Sequence, residues 1–186
     1  MIDYETFKKE HLTEWVDRSQ AARKAAEELA NKDATSLRDR YKLPDDVLLL
    51  NGKRVEVKRE NEKKSDGDIY FTWDEAVERF GEPDSDGWRL PTKEELDSLC
   101  NYSYSFDKEA EQGIIDGRIF LPAACCRNLQ GIVVNPSSPQ GSYWSSTSYD
   151  KDPTYAMGFC FALVARTTVG LKKSFGRSVR LVRDAR

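Results

Sequence analysis

The chain has 186 residues, 39% of them apolar and 33% charged, with a formal net charge of -3 from 29 Lys+Arg against 32 Asp+Glu. That apolar share, with 4 Trp, 8 Tyr and 8 Phe, excludes a disordered chain and supplies the core of one domain plus a modest appendage. The near-balance of charge excludes a general basic footprint for nucleic acid, and no stretch is long and apolar enough for membrane insertion.

The first residues carry no apolar signal region, so the compartment is left unknown, with the cytoplasm or a virion as the expectation. Cys100, Cys125, Cys126 and Cys160 form no Cys-x-x-Cys pair and read as free thiols. Cys125 and Cys126 are adjacent, a spacing too strained for a ready disulfide.

In chain order, residues 1–45 read as a helical segment. Leu12, Trp15, Ala22, Ala26 and Leu29 fall at three- and four-residue spacing around Ser19, and Leu43-Pro44 ends the pattern. A homo-oligomer joined through this N-terminal helix is one expectation, although Ser19 and the alanines make a thin seam. Residues 46–186 then form the main domain. Val47 to Leu50 and Arg54 to Val57 flank Asn51-Gly52, a hairpin signal, because Asn-Gly supplies the positive φ angles of a tight turn. Lys58 to Asp68 is polar and reads as a surface loop.

Two short helices are announced by one device. Thr72 with Glu75, and Thr92 with Glu95, each fit a capping box in which threonine and glutamate satisfy two orphan backbone donors. Trp73, Ala76, Val77 and Phe80 share one face of the first helix, and Leu96, Leu99 and Cys100 one face of the second. Between them, Asp86-Gly87 turns into a short strand, Trp88 to Leu90, stopped by Pro91. Gly117 to Leu121, Tyr155 to Val164 and Arg177 to Arg183 read as strands, with a Pro- and Ser-rich loop from Gly131 to Gly141. Helices early and antiparallel strands later predict an α+β domain.

Along this stretch, Trp88-Arg89-Leu90-Pro91-Thr92, Phe120-Leu121-Pro122-Ala123, Tyr143-Trp144-Ser145-Ser146-Thr147 and Ser178-Val179-Arg180-Leu181 occur in order. With these phrases the chain resembles the paralogous C-type-lectin-fold domains of the Fibrobacter succinogenes major paralogous domain group and its DUF1566-like relatives. The resemblance implies a C-type-lectin-like domain, two short helices packed on small antiparallel sheets, behind the N-terminal helical segment. Some members of that group are variable proteins of diversity-generating retroelements, found in phages and gut bacteria. Likeness to them implies a ligand-binding segment between Trp144 and Ser178, in which mutated adenines turn Asn-type codons into many others. Ala156, Gly158, Cys160 and Ala162 stand at alternate positions and are all reachable from such a codon.

The strand itself gives the candidate surface. Tyr155, Met157, Phe159, Phe161 and Leu163 point one way, and Ala156, Gly158, Cys160, Ala162 and Val164 the other. The first set is a core face. The second is either covered or forms a shallow floor with a polar rim. The residues expected to touch a ligand are Tyr149, Asp150, Asp152, Thr154, Ala156, Gly158, Cys160, Arg166, Thr168 and Leu171.

Catalytic chemistry finds little purchase. Ser145, Ser146 and Thr147 shape a turn, and the one histidine, His11, lies in the N-terminal segment, away from any serine nucleophile. Glu82-Pro83-Asp84 resembles a calcium-binding phrase but lies on the wrong side of Trp88, and calcium needs several converging oxygens. No metal or cofactor is expected. Arg177, Arg180, Arg183 and Arg186 read as an edge or surface series with salt bridges. The expectation is a non-catalytic recognition protein whose partner is a protein or cell-surface ligand. Two alternatives stay open: a relative of the formylglycine-generating enzymes using a reactive cysteine, and a structural subunit.

Overall fold

In the computed structural model, residues 43–134 and 139–185 are described. The hairpin forms as its turn dictates: β1 (Val47–Leu50) pairs antiparallel with β2 (Lys53–Val57), and Asn51 and Gly52 take φ 48° and 76° between them. The last strand, β11 (Val182–Asp184), returns to the other edge of β2 and completes a three-stranded sheet. Helices α1 (Trp73–Phe80) and α2 (Lys93–Leu99) follow, and both capping boxes are formed. Thr72 and Thr92 cap the amides of Glu75 and Glu95, whose carboxylates each accept from the threonine amide at 2.8 Å.

Beyond α2 the described residues form strands, turns and loops. A meander of β3 (Tyr104–Asp107), β4 (Gln112–Ile115) and β5 (Ile119–Pro122) gives a second sheet. A two-stranded ladder joins β6 (Cys126–Arg127) to β7 (Val133–Val134). The longest strands, β8 (Gln140–Ser148), β9 (Tyr155–Ala162) and β10 (Arg166–Lys172), form a sheet of order β10-β9-β8 with an irregular register between Trp144 and Ser148.

The expected fold is corrected by this architecture. The described residues are mostly small antiparallel sheets; the helices are the two short ones expected, of 8 and 7 residues, too little helix to make the α+β C-type-lectin-like domain behind an N-terminal helical segment that was expected. The physical reason is segment length: apolar runs here are short and stopped by Gly, Pro or Asp turns, which suits strands rather than helices. The helical segment assigned to residues 1–45, and the oligomer expected through it, fall on residues 1–42, outside those described.

One core cluster joins Phe71, Ala76, Leu90, Trp144, Ala156, Val179 and Leu181, with Trp73, Val77 and Phe80 of α1 packed on it. The Trp144 indole is fully buried and donates to the Phe71 carbonyl at 2.8 Å, the partner such a ring needs. On the other side of β9, Phe161 stacks on Tyr143 with ring centroids 6.0 Å apart. Its ring explains Gly141 on the neighbouring strand, where a Cβ would come 2.2 Å from Phe161 Cζ.

The arginine series is also corrected. Arg177 and Arg180 are buried, at 7% and 6% exposure, while Arg183 is the surface member, paired with Glu56 at 2.8 Å. From Gly176 to Arg180 the chain forms isolated bridges instead of a regular strand, threading between Phe71 and Tyr143. Its side chains are therefore enclosed on both sides. Arg180 is satisfied there by Asn61 Oδ1 (2.8 Å) and by the carbonyls of Lys58 (2.7 Å), Arg59 and Phe120 (3.0 Å). Trp88 to Leu90, expected as a strand, contributes a single bridge between Arg89 and Val182.

Candidate functional site

Strand register assigns the candidate residues to faces, because directly paired residues point to the same side. Ser142 pairs with Cys160 and Trp144 with Gly158 on one edge of β9; Thr167 pairs with Cys160, Val169 with Gly158 and Leu171 with Ala156 on the other. Ala156, Gly158, Cys160 and Leu171 therefore share one face. Arg166 pairs with Phe161 and Thr168 with Phe159, so both lie on the opposite face.

The shared face is covered at one end and open at the other. Ala156 has no exposure and belongs to the core cluster with Ala76 of α1. Gly158 lies under Leu171: a Cβ there would meet Leu171 Cδ1 at 2.5 Å and the Tyr143 carbonyl at 2.7 Å. Further along, Cys160 and Ala162 are only partly buried and Thr167 is exposed. The open floor is thus shorter than the strand pattern implies. It runs from Cys160 to Ala162, flanked by Gln140, Ser142 and Thr167.

Arg177 bounds this floor. Its Nη1 donates to Ser142 Oγ at 2.9 Å, and its guanidinium lies 5.2 Å from the Trp144 ring and 5.9 Å from the Phe175 ring. Burial pushes the Cys160 thiol up, with the Arg177 charge opposing in part, and burial likewise raises Cys125. Both are neutral thiols at physiological pH.

The other candidates have different work. Arg166 reaches the carbonyls of Cys100 (3.0 Å) and Tyr102, tying β10 to the end of α2, and Thr168 stands beside Cys100. Tyr149 lies over Gly170, its ring 3.4 Å from where a Cβ would sit. Asp152 Oδ1 accepts from the Thr154 amide (2.9 Å) and hydroxyl (2.6 Å), and those bonds hold its carboxyl below the usual range. Asp152 and Thr154 build the β8–β9 turn, while Asp150 is exposed in it. The ten candidates are therefore not one surface. They divide between the floor, the opposite face and the turn.

Ser142 and Thr167 carry no signal in the sequence, and Arg177 reads there only as one of a surface series. The available signal was the run Val179, Leu181 and Val182 around the arginines, since apolar residues on both sides of a charge place it inside. Elsewhere, an apolar void of about 20 Å³ lies among Leu50, Leu96, Leu121 and Phe159. It has the room of a single water without free polar partners, a packing defect rather than a ligand pocket. Among the described residues, no group of three His, Cys, Asp or Glu side chains is placed to hold a metal ion, and no helix is long and apolar enough to cross a membrane.

These features define a small domain of antiparallel sheets whose longest sheet is open at one end. The profile of the Lcl C-terminal domain matches residues 56–183, and the chain belongs to that family, a DUF1566-like one. No curated protein and no solved structure matches the chain.

Proposed function

We propose that this chain is a non-catalytic recognition protein that binds a protein or cell-surface ligand at the open end of the β8–β9–β10 sheet. The observation that carries the reading is the floor from Cys160 to Ala162, small side chains left partly uncovered where the other end of the same face is closed by the core. A contact surface of this kind accepts a bulky group and surrounds it with polar atoms, here Gln140, Ser142 and Thr167. The raised Cys125 and Cys160 thiols favour recognition over thiol chemistry, since a reactive cysteine needs a depressed pKa.

The finer reading is a variable protein of a diversity-generating retroelement, of phage, prophage or gut bacterial origin. It is supported by the small residues at alternate positions, and the packing narrows it. Positions 156 and 158 have no room for larger side chains, so tolerated variation falls on Cys160, Ala162 and Thr167. Sequencing the neighbouring DNA checks this: the expected finding is a near-copy of the segment coding Tyr143 to Arg183, differing at adenines, beside a reverse transcriptase. A locus without that copy removes the retroelement reading and leaves the recognition reading standing.

The recognition reading is tested by screening the full chain against arrayed cell-surface proteins and glycans, then repeating the measurement with two surface variants. Thr167→Trp, on the floor, is expected to weaken ligand binding about tenfold or more, as filling a contact patch does. Ser105→Trp, exposed on β3, is expected to leave it unchanged. Equal binding by both variants rejects the floor as the ligand face.

A further inference from the structure

We infer that Arg177 is the anchor of a carboxylate-binding subsite at the edge of the open floor. This deepens the recognition reading and rests on it, naming the chemistry its ligand presents.

Among the described residues, other enclosed arginines have a carboxylate or several carbonyls as partners, although Arg127 and Arg166 also leave Nε unbonded. Arg118 pairs with Asp116 at 2.6 Å and Arg89 with Glu95 at 2.8 Å, while Arg180 is surrounded by carbonyls. Arg177 is 7% exposed, yet among the described residues its one hydrogen-bond acceptor is Ser142 Oγ and no carboxylate pairs with it. Its Nε is buried without a partner. A desolvated charge in that state is strongly disfavoured until an anion meets it. The flanking Trp144 and Phe175 rings compensate in part and hold the guanidinium plane.

The spent and unspent donors set the ligand class. Nη1 is engaged by Ser142, which leaves the flat edge formed by Nε and Nη2, two parallel donors that match the two oxygens of a carboxylate. A phosphate carries more charge and more acceptor oxygens. Among the described residues, the contacts of the Arg177 guanidinium are Ser142 Oγ and the Trp144 and Phe175 rings, with no second cation among them to meet the extra charge. Phe175 sits partly exposed in the turn between β10 and the Gly176 bridge, on the solvent side of this group. Ser142, which Arg177 holds, pairs with Cys160, and Cys160 pairs with Thr167, so the subsite adjoins the proposed ligand face.

The test follows the arginine side-chain Nε–Hε resonances of the full chain by NMR. The probes are acetyl-Gly-Glu-Gly-amide, free glutarate, the glutamine counterpart of the peptide, and inorganic phosphate. The Arg177 resonance is expected to move saturably with a carboxylate probe and to respond about tenfold more weakly or not at all to the glutamine peptide and phosphate. Saturation by the glutamate peptide alone assigns the carboxylate to an acidic side chain of a partner protein; saturation by glutarate alone assigns it to a free acid. Arg177→Lys, which keeps the charge and loses the fork, is expected to abolish the preference. The inference is overturned by an Arg177 resonance that neither carboxylate moves, by an equal response to the glutamine peptide, or by tighter binding of phosphate. The wild-type titration decides even where the lysine variant fails to fold. Were the carboxylate probes inert while Thr167→Trp still blocked the screened ligand, the subsite would fall and the recognition face would stand.

Discussion

Gly158 and Arg180 show how little latitude single positions have around β9. A Cβ at position 158 meets one movable atom, Leu171 Cδ1, and one immovable one, the Tyr143 backbone carbonyl at 2.7 Å. Gly158→Ala is therefore expected to lower stability by about 1 to 3 kcal/mol, read as a shift in the urea midpoint. Trimming Leu171 to alanine should fail to rescue it, because the carbonyl remains. Full rescue would mean that the side chain alone sets the limit. Arg180 presents a different constraint. Its guanidinium joins Lys58, Asn61 and Phe120, residues from two distant parts of the chain, in one plane of donors. Arg180→Lys keeps the charge but strands several buried acceptors, at about 3 kcal/mol or more. An unchanged midpoint in that variant would reject the arginine as a structural clamp.

The two helices carry the same cap in different surroundings, which separates capping from ion pairing. Glu95 is buried, and its carboxylate both closes the box on Thr92 and forms a two-bond pair with Arg89 at 2.8 Å. Glu75 closes the equivalent box but is half exposed and pairs with Lys64. Glutamine preserves a capping box, so a Glu→Gln change at each position removes mainly the charge. Glu95→Gln is expected to lose about 2 to 3 kcal/mol because it leaves the enclosed Arg89 with only the exposed Asp184, at 3.2 Å, as a charged partner. Glu75→Gln should lose less than about 1 kcal/mol. Equal losses in thermal or urea unfolding would contradict the assignment. Both boxes, and the Asn51-Gly52 hairpin, were legible in the sequence because each is decided within four residues. The face assignment of β9 was legible too, from alternation alone. What covers each end of that face was not, since it depends on Ala76, Trp144 and Leu171 arriving from other elements. The burial of Arg180 depends on partners up to 122 positions away, beyond any local pattern. For the same reason Arg166 and Thr168 read as rim residues when strand pairing turns them to the other face.

Across the molecule, small sheets are joined less by continuous ladders than by buried polar side chains that cross from one to the next. Two tyrosines are the clearest joints. Tyr104 of β3 donates its hydroxyl to the Ala162 carbonyl of β9 at 2.5 Å, and Tyr143 of β8 donates to the Pro122 carbonyl of β5 at 2.8 Å. Burial pushes both phenols up to about 12 from the ordinary 10.0. The sign of the linkage follows from which state holds its proton more tightly. The folded state does, so the stabilisation is complete below pH 10, and it is lost as pH rises from about 10 through 12, where only the unfolded chain ionises readily. For Tyr143, fully enclosed, the rise to about 12 corresponds to roughly 3 kcal/mol once ionisation is complete. Urea unfolding at stepped pH is expected to show a steady loss of stability above pH 10, shallower in Tyr143→Phe, whose lost hydrogen bond lowers the neutral baseline instead. Phenolate absorbance supplies the independent reading. The two buried tyrosines should ionise together with unfolding, and a wild type in which every tyrosine titrates near 10 while the sheets stay folded would show that these joints are open to solvent.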